Sequence, residues 1–253
     1  MRQLFPVLDP ASGGGDVDPA APYAAAVRPA PPGRPWVLLN MVASVDGATA
    51  VKGRSGGLGG PSDKVVFSAI RAVADVIIAG NGTVRAEGYG PPRPSAATQE
   101  ARVARGQAPF PRIAVVSGSL DLDLHSSLFT TPEHRPLVIT TEDPPADRLA
   151  AAAERADVVQ AGHGPVDLGA ALGLLAAAGH RVALVEGGPT LNGQLVAADL
   201  VDELCLTVSP HFVGGTSGRV AHGPDAALEA LELAHVLHDP VDGLLFLRYV
   251  RVG

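Results

Sequence analysis

The sequence predicts a mixed α/β fold whose sheet is mostly parallel. Apolar runs of strand length alternate with longer segments of helical spacing, the pattern of strand–helix–strand units around one core. Glycine-rich loops follow several of the strands, where ligands of such sheets bind. The last two strand-like segments, LELAHVLHD and GLLFLRYVRVG, have no helix between them and predict an antiparallel C-terminal edge.

The elements follow in order. Residues 1–35, rich in Ala, Pro and Gly from residue 10 onward, predict an extended arm, and residues 36–253 the folded domain. PWVLLNMVAS is a buried strand followed by the loop VKGRSGGLGG. PSDKVVFSAIRAV predicts a helix, started by Pro61 and Ser62, with Val65, Val66, Ala69 and Ile70 on its apolar face. ADVIIAG, PRIAVVSGSL, PLVITT, DVVQAG, HRVALVEGG and DELCLTVSP read as strands. NGTVRAEGYGPPRP reads as a short helical turn entering a Gly/Pro loop. PPADRLAAAAERA, VDLGAALGLLAAAG and PTLNGQLVAAD read as helices, the second stopping at Gly179.

Composition narrows the function. The 253 residues carry a net charge of −7, which argues against nucleic-acid binding. The single cysteine, Cys205, excludes an intramolecular disulfide framework and a cysteine-based zinc cluster, and is expected as a buried small hydrophobe. No apolar run is long enough for a bilayer and the N-terminus lacks a signal-peptide core, so a cytoplasmic protein without membrane partners is expected. The eight histidines show no ligand spacing, so no metal is expected, and His235 and His238 are expected at the surface. Residues 52–112 hold nine cations against four acids, an excess that predicts either an anion-binding lobe or a solvated arginine-rich face.

The stretch LVEGGPTLNGQLV, residues 184–196, carries the chemistry. From Gly188 it has the glycine spacing of a phosphate-binding P-loop, but Gln194 and Leu195 replace the lysine and hydroxyl that phosphoryl transfer needs. What remains is a strand delivering two glycines to a helix N-terminus, which can receive an anion or can be a plain turn.

Residues 36–215 resemble the reductase domain of riboflavin biosynthesis, of dihydrofolate-reductase-like fold. The resemblance rests on NMVASVDG, the serine of GRSGGLGG, AIRAVAD, GNGTVRAEGYGPPR and VEGGPTLNGQLVAADLVDELCLTVSPHFVGG. It implies NADPH as hydride donor, 5-amino-6-(5-phosphoribosylamino)uracil as substrate and a homodimer. Family members often carry an N-terminal zinc deaminase. Its His-x-Glu and Pro-Cys-x-x-Cys signature has no counterpart in this one-cysteine chain, so a single-function reductase is expected.

The resemblance also assigns residues. Val42 and Ala43 line the nicotinamide strand. Gly80, Thr83 and Glu87 lie along the cofactor, and Thr83 could equally be a helix cap. Ser117 lies near the adenosine 2′-phosphate, and Gly187, Gly188, Pro189, Thr190 and Leu191 wrap the pyrophosphate. On the substrate side stand Asn40, Ser55, Arg71, Arg93 and Glu186, with Glu186 and Glu87 as catalytic acids. Arg71 could also be a helix-surface arginine, and Asp46 either a catalytic acid or a turn former. Asn40 stands where bifunctional members often hold lysine, Gly57 where an aromatic is usual, and EGYGPPRP where a DNP pattern is usual. These departures leave reduction of dihydrofolate or another pteridine, or non-catalytic NADPH binding, as alternatives.

Overall fold

The structure, a computed structural model, describes residues 1–6, 16–225 and 228–252. In chain order the elements are β1 (Arg2–Phe5), α1 (Ala20–Ala25), β2 (Trp36–Ser44), α2 (Pro61–Val73), β3 (Val76–Gly80) and α3 (Asn81–Glu87). Next come α4 (Ala96–Ala104), β4 (Arg112–Val116), α5 (Ser127–Thr130), β5 (Leu137–Thr140), α6 (Ala146–Arg155) and β6 (Asp157–Gln160). The chain ends with α7 (Leu168–Ala177), β7 (Val182–Val185), α8 (Pro189–Ala197), β8 (Glu203–Ser209), β9 (Leu231–His238) and β10 (Leu245–Arg251). It divides into two compact units. One comprises Pro29–Trp36 and Ala74–Gly188; the other comprises Met1–Arg28, Val37–Val73 and Pro189–Gly253.

The first unit is the parallel one. Its strands run in the order β7-β3-β4-β5-β6, and each neighbouring pair is parallel. Parallel strands covered on both faces must be apolar throughout, and Ile77, Ile139 and Leu184 are buried as that requires. Each such side chain contributes roughly 1.5–3 kcal/mol by leaving water. The connecting helices are capped by the chemistry expected of their ends. The Asp167 carboxylate accepts the Ala170 N–H at 2.9 Å to start α7, and Gly179, at φ 92°, follows its end. Ser95 starts α4 by accepting the Thr98 N–H at 3.2 Å. Helix α4 has no counterpart in the sequence reading.

The second unit is mixed. Its strands run β1-β9-β10-β8-β2, with β2 and β8 parallel and the other pairs antiparallel. The antiparallel C-terminal edge is therefore present. Helix α2 has the expected bounds, but its buried face is Val66, Ala69, Ile70 and Val73, while Val65 is 52% exposed.

The segment read as an extended arm holds two elements in its described residues. Strand β1 pairs with β9, and α1 buries Tyr23. The anchor of this segment is ionic. Glu203, fully buried on β8, takes Arg28 Nε and Nη2 at 2.9 Å each, and Arg248 Nε at 2.6 Å. The two guanidiniums hold the Glu203 carboxyl below the usual range against a strong burial penalty. Cys205 is buried as expected, and its thiol is pushed up by burial.

His235 is not at the surface. It is 4% exposed and meets the Tyr23 ring edge-on at 4.9 Å between centroids. In LELAHVLH the period-two register turns it inward with Leu237. Burial, helped by Arg248, lowers its pKa to about 4.

Both Glu203 and His235 have folded pKa values below their unfolded ones, so each contributes stability that is lost on acidification. His235 acts first, as pH falls from about 6.5 towards 4, and costs on the order of 2 kcal/mol over that window. Urea unfolding at pH 7 and pH 5 should show the loss in the wild type and a much smaller loss in His235→Phe. An unchanged pH dependence in the variant would place the titration elsewhere.

Candidate functional site

The parallel register sets the ends of β3, β4 and β7 at one pole of the first unit. Residues there come from three separated motifs. Gly80 N–H donates to the Gly187 carbonyl at 2.7 Å, and Glu186 N–H donates to the Ile78 carbonyl at 2.9 Å, which carries the β3–β7 pairing past the strand ends. The Gly187–Gly188 peptide is cis, and Gly187 has φ 90°, a conformation that favours glycine. A Cβ on Gly188 would lie 2.8 Å from Thr83 Oγ1, and one on Gly80 would lie 3.5 Å from Gly188 N. Thus Gly80, Gly187 and Gly188 bring their backbones together beside the Thr83 hydroxyl, with least room for a side chain at Gly188. Ser117 is 7% exposed at the end of β4, and its N–H bonds to the Ile139 carbonyl at 2.9 Å.

Glu186 is 7% exposed at the top of β7. The Tyr89 hydroxyl donates to its Oε2 at 2.6 Å. Glu87 and Arg93, from the same unit, lie at the surface. Tyr89 was absent from the residues singled out in the sequence. Its signal was an aromatic side chain placed inside the Gly/Pro loop EGYGPPRP directly after a helix, in a chain with three tyrosines.

The second unit carries the remaining assigned residues. Asn40 and Val42 are half-buried on β2, and Ala43 is buried. Ser55 is half-buried in the glycine-rich loop. The Arg71 guanidinium stacks on Phe67 one turn earlier, 4.3 Å from the ring centroid, at the end of α2. Pro189, Thr190 and Leu191 open α8. The Pro189 carbonyl accepts the His222 N–H at 2.9 Å, and the Asn192 amide donates to the Val220 carbonyl at 2.7 Å. Asp63, in the first turn of α2, accepts the Thr207 hydroxyl at 2.8 Å, and burial raises its carboxyl pKa.

Asp46 serves the turn. Its carboxylate accepts the Gly214 N–H at 2.8 Å and the Ser44 hydroxyl at 2.5 Å; the Ser44 bond, followed by that from Gly214, holds its pKa below the ordinary value. Several cations of the 52–112 span are likewise occupied by structure. Arg102 is buried and donates to the Ala74 and Ala108 carbonyls, Arg85 pairs with Asp121, and Arg112 pairs with Asp157. Among the described residues no three His, Cys, Asp or Glu side chains gather as a metal site.

The RibD C-terminal domain family matches residues 35–245. The chain belongs to this family. Among its relatives is the 2,5-diamino-6-ribosylamino-4(3H)-pyrimidinone 5′-phosphate reductase of Archaeoglobus fulgidus, 32% identical over 72% of this chain and 83% of that protein. The reductase of the same name from Methanothermobacter thermautotrophicus is 31% identical over 79% of this chain and 90% of that protein. The crystal structure of a pyrimidine reductase-like protein from Corynebacterium diphtheriae superposes with a TM-score of 0.80 at 28% identity, over 87% of this chain and 92% of that one. The mixed, mostly parallel α/β fold and the reductase family read from the sequence both stand.

The close packing gives a contrast between two glycines. Gly193 lies so near the His222 carbonyl that a Cβ would overlap it, whereas Gly82 has no atom within 4 Å of such a Cβ. Gly193→Ala should destabilise by about 1–3 kcal/mol through overpacking. Gly82→Ala, inside α3, should be neutral or stabilise by up to about 1 kcal/mol. Thermal unfolding of the two variants checks both signs.

Proposed function

We propose that this chain is an NADPH-dependent reductase of a phosphoribosylaminopyrimidine in riboflavin biosynthesis. The cradle of Gly80, Gly187 and Gly188 around Thr83, in a chain of this family, carries the proposal. It fits a dinucleotide because bare backbone is what a pyrophosphate can approach closely, and a Cβ at Gly188 would crowd Thr83 Oγ1 at 2.8 Å. Bound NADPH supplies the hydride. Ser117, a small hydroxyl rather than an acid at the end of β4, favours the 2′-phosphorylated cofactor. Val42 and Ala43 on β2 would line the nicotinamide, with Glu87, Pro189, Thr190 and Leu191 completing the cofactor-binding set.

The substrate accepts the hydride at C1′ of its ring-opened ribosylamine, whose C1′–N double bond becomes a single bond as the nitrogen takes a proton. In this reading Ser55, Arg71 and Arg93 hold the 5-phosphate and spend that binding on orientation. Asn40 and Glu186 bind the polar chain and ring. The sequence resemblance implies the uracil form, 5-amino-6-(5-phosphoribosylamino)uracil. The archaeal relatives are named for the 2,5-diamino form, which bears an amino group at ring C2 instead of oxygen. Reduction at C1′ is the same chemistry in both. A cytoplasmic homodimer completes the proposal. Exposed Leu4 and Phe5 on the edge strand β1, and Leu231 at the start of β9, give apolar surface for pairing.

The deciding assay follows nicotinamide oxidation with each pyrimidine and with dihydrofolate. Turnover of either pyrimidine in preference to dihydrofolate supports the proposal and identifies its form; turnover of dihydrofolate alone overturns it. Arg71→Ala should raise KM for the pyrimidine roughly 10- to 100-fold, the worth of a lost charged hydrogen bond, with KM for NADPH nearly unchanged. Equal rises in both would make Arg71 a structural residue.

A further inference from the structure

We infer that Tyr89 is a positioning residue that acts on substrate through Glu186. The inference rests on the reductase reading and assigns to this loop a part in substrate selection.

The fold ties the backbone of both partners to β3. Helix α3 begins where β3 ends, and it closes on Gly88 in the left-handed region, with φ 67°. The N–H groups of Gly88 and Tyr89 both reach the Val84 carbonyl, the latter at 3.0 Å, so the Tyr89 backbone is tied to the last turn of α3. Glu186 is tied to the same strand from the other side, by its N–H to the Ile78 carbonyl. The hydroxyl-to-carboxylate bond therefore joins two segments that β3 already holds. Its length is 2.6 Å, at the short side of O–H···O hydrogen bonds.

Glu186 is a buried carboxylate at the ligand pole of a parallel sheet. Such a group is costly to bury and is free to turn about three side-chain torsions unless a partner holds it. The Tyr89 hydroxyl supplies a partner for one oxygen, Oε2. The carboxylate then meets the hydroxyl-rich chain of the substrate in one orientation, without ordering a rotamer on binding. A tyrosine that only stabilised the fold would influence both substrates alike. One that orients Glu186 influences the pyrimidine alone.

The test uses Tyr89→Phe, which keeps the ring and removes the hydroxyl, together with Glu186→Gln and the double variant. Steady-state KM is measured for the pyrimidine and for NADPH, NADPH affinity by equilibrium titration, and stability by thermal unfolding. Tyr89→Phe should raise KM for the pyrimidine about tenfold and leave NADPH affinity and the melting temperature near wild type. The double variant should be no worse than Glu186→Gln, because residues acting through one another are not additive. Additive losses, equal rises in the two KM values, or a Tyr89→Phe protein that unfolds early would overturn the positioning role. A wild-type enzyme inert on both pyrimidines overturns the reductase reading and this inference with it; an active wild type with an unaffected Tyr89→Phe variant overturns the inference alone.

Discussion

Asp75 is the constraint on which the parallel unit depends. Its carboxylate accepts the N–H groups of Arg181 at 2.7 Å and Val182 at 2.9 Å, and the Gln107 amide at 2.7 Å. Its backbone N–H donates to the Val182 carbonyl at 2.9 Å, and its carbonyl accepts the Arg112 N–H at 3.0 Å. One residue at the start of β3 thus sets where β7 and β4 begin. A one-residue slip in register turns every side chain of a strand to the other face. Register fixed at one pole is therefore register fixed at the other, where Gly80, Ser117 and Glu186 must coincide. A hydrogen bond to a charged acceptor contributes roughly 1.5–3 kcal/mol, and three of them converge on this carboxylate. Beside it Arg102 binds the Ala74 carbonyl at 2.6 Å, so the connection into β3 is held from two sides.

Glu203 plays the corresponding part in the mixed unit by a different means. Asp75 binds mainly backbone, whereas Glu203 binds two guanidiniums from segments remote in sequence. Removing one partner of a buried ion pair typically costs 3–5 kcal/mol, because the other charge is left in a medium that cannot solvate it. Arg28 is the residue that commits the N-terminal segment to the sheet: its fork takes both Glu203 oxygens while Nη1 also reaches the Tyr23 carbonyl at 2.9 Å. Tyr23 then covers His235, and β1 pairs with β9. A segment of low complexity acquires structure here because one arginine in it has a buried acceptor waiting.

That arrangement shows which parts of the fold were legible in the sequence. The long apolar runs became β2, β3, β4, β5 and β7, because burial on both faces leaves no freedom in residue type. Helix α2 was legible for the complementary reason, a proline start and apolar residues at helical spacing. Helix α4 was not, because its one buried residue is Arg102, and an arginine does not mark an apolar face. Strand β1 has four residues and exists through its pairing with β9, a contact that no local pattern announces. His235 was misread by treating a histidine as polar, when its place in an alternating strand with Leu237 already turned it inward. The excess of cations between residues 52 and 112 read as either an anion-binding lobe or a solvated face. Arg85, Arg102 and Arg112 instead answer three separate local demands.

The same distinction runs through the site. Close backbone approach has a sequence signature, because glycine leaves room for it; Gly80, Gly187 and Gly188 lie where the ends of β3 and β7 meet. Recognition by side chains has no such signature. Asp46, Glu87 and Glu186 are three acids in or beside glycine-bearing loops; the sequence offers Glu87 and Glu186 as catalytic and leaves Asp46 between catalysis and a turn. Their surroundings separate them. Asp46 is committed to the N–H groups of the 213–214 turn, Glu87 lies at the surface, and Glu186 is buried at the strand end with a phenol on one oxygen. A carboxylate can choose between folding and chemistry only through its neighbours. Here a neighbour of Glu186, Tyr89, comes from EGYGPPRP, one of the stretches that depart from the usual pattern. A loop that differs from the usual pattern thus brings a hydroxyl to the carboxylate at the strand end.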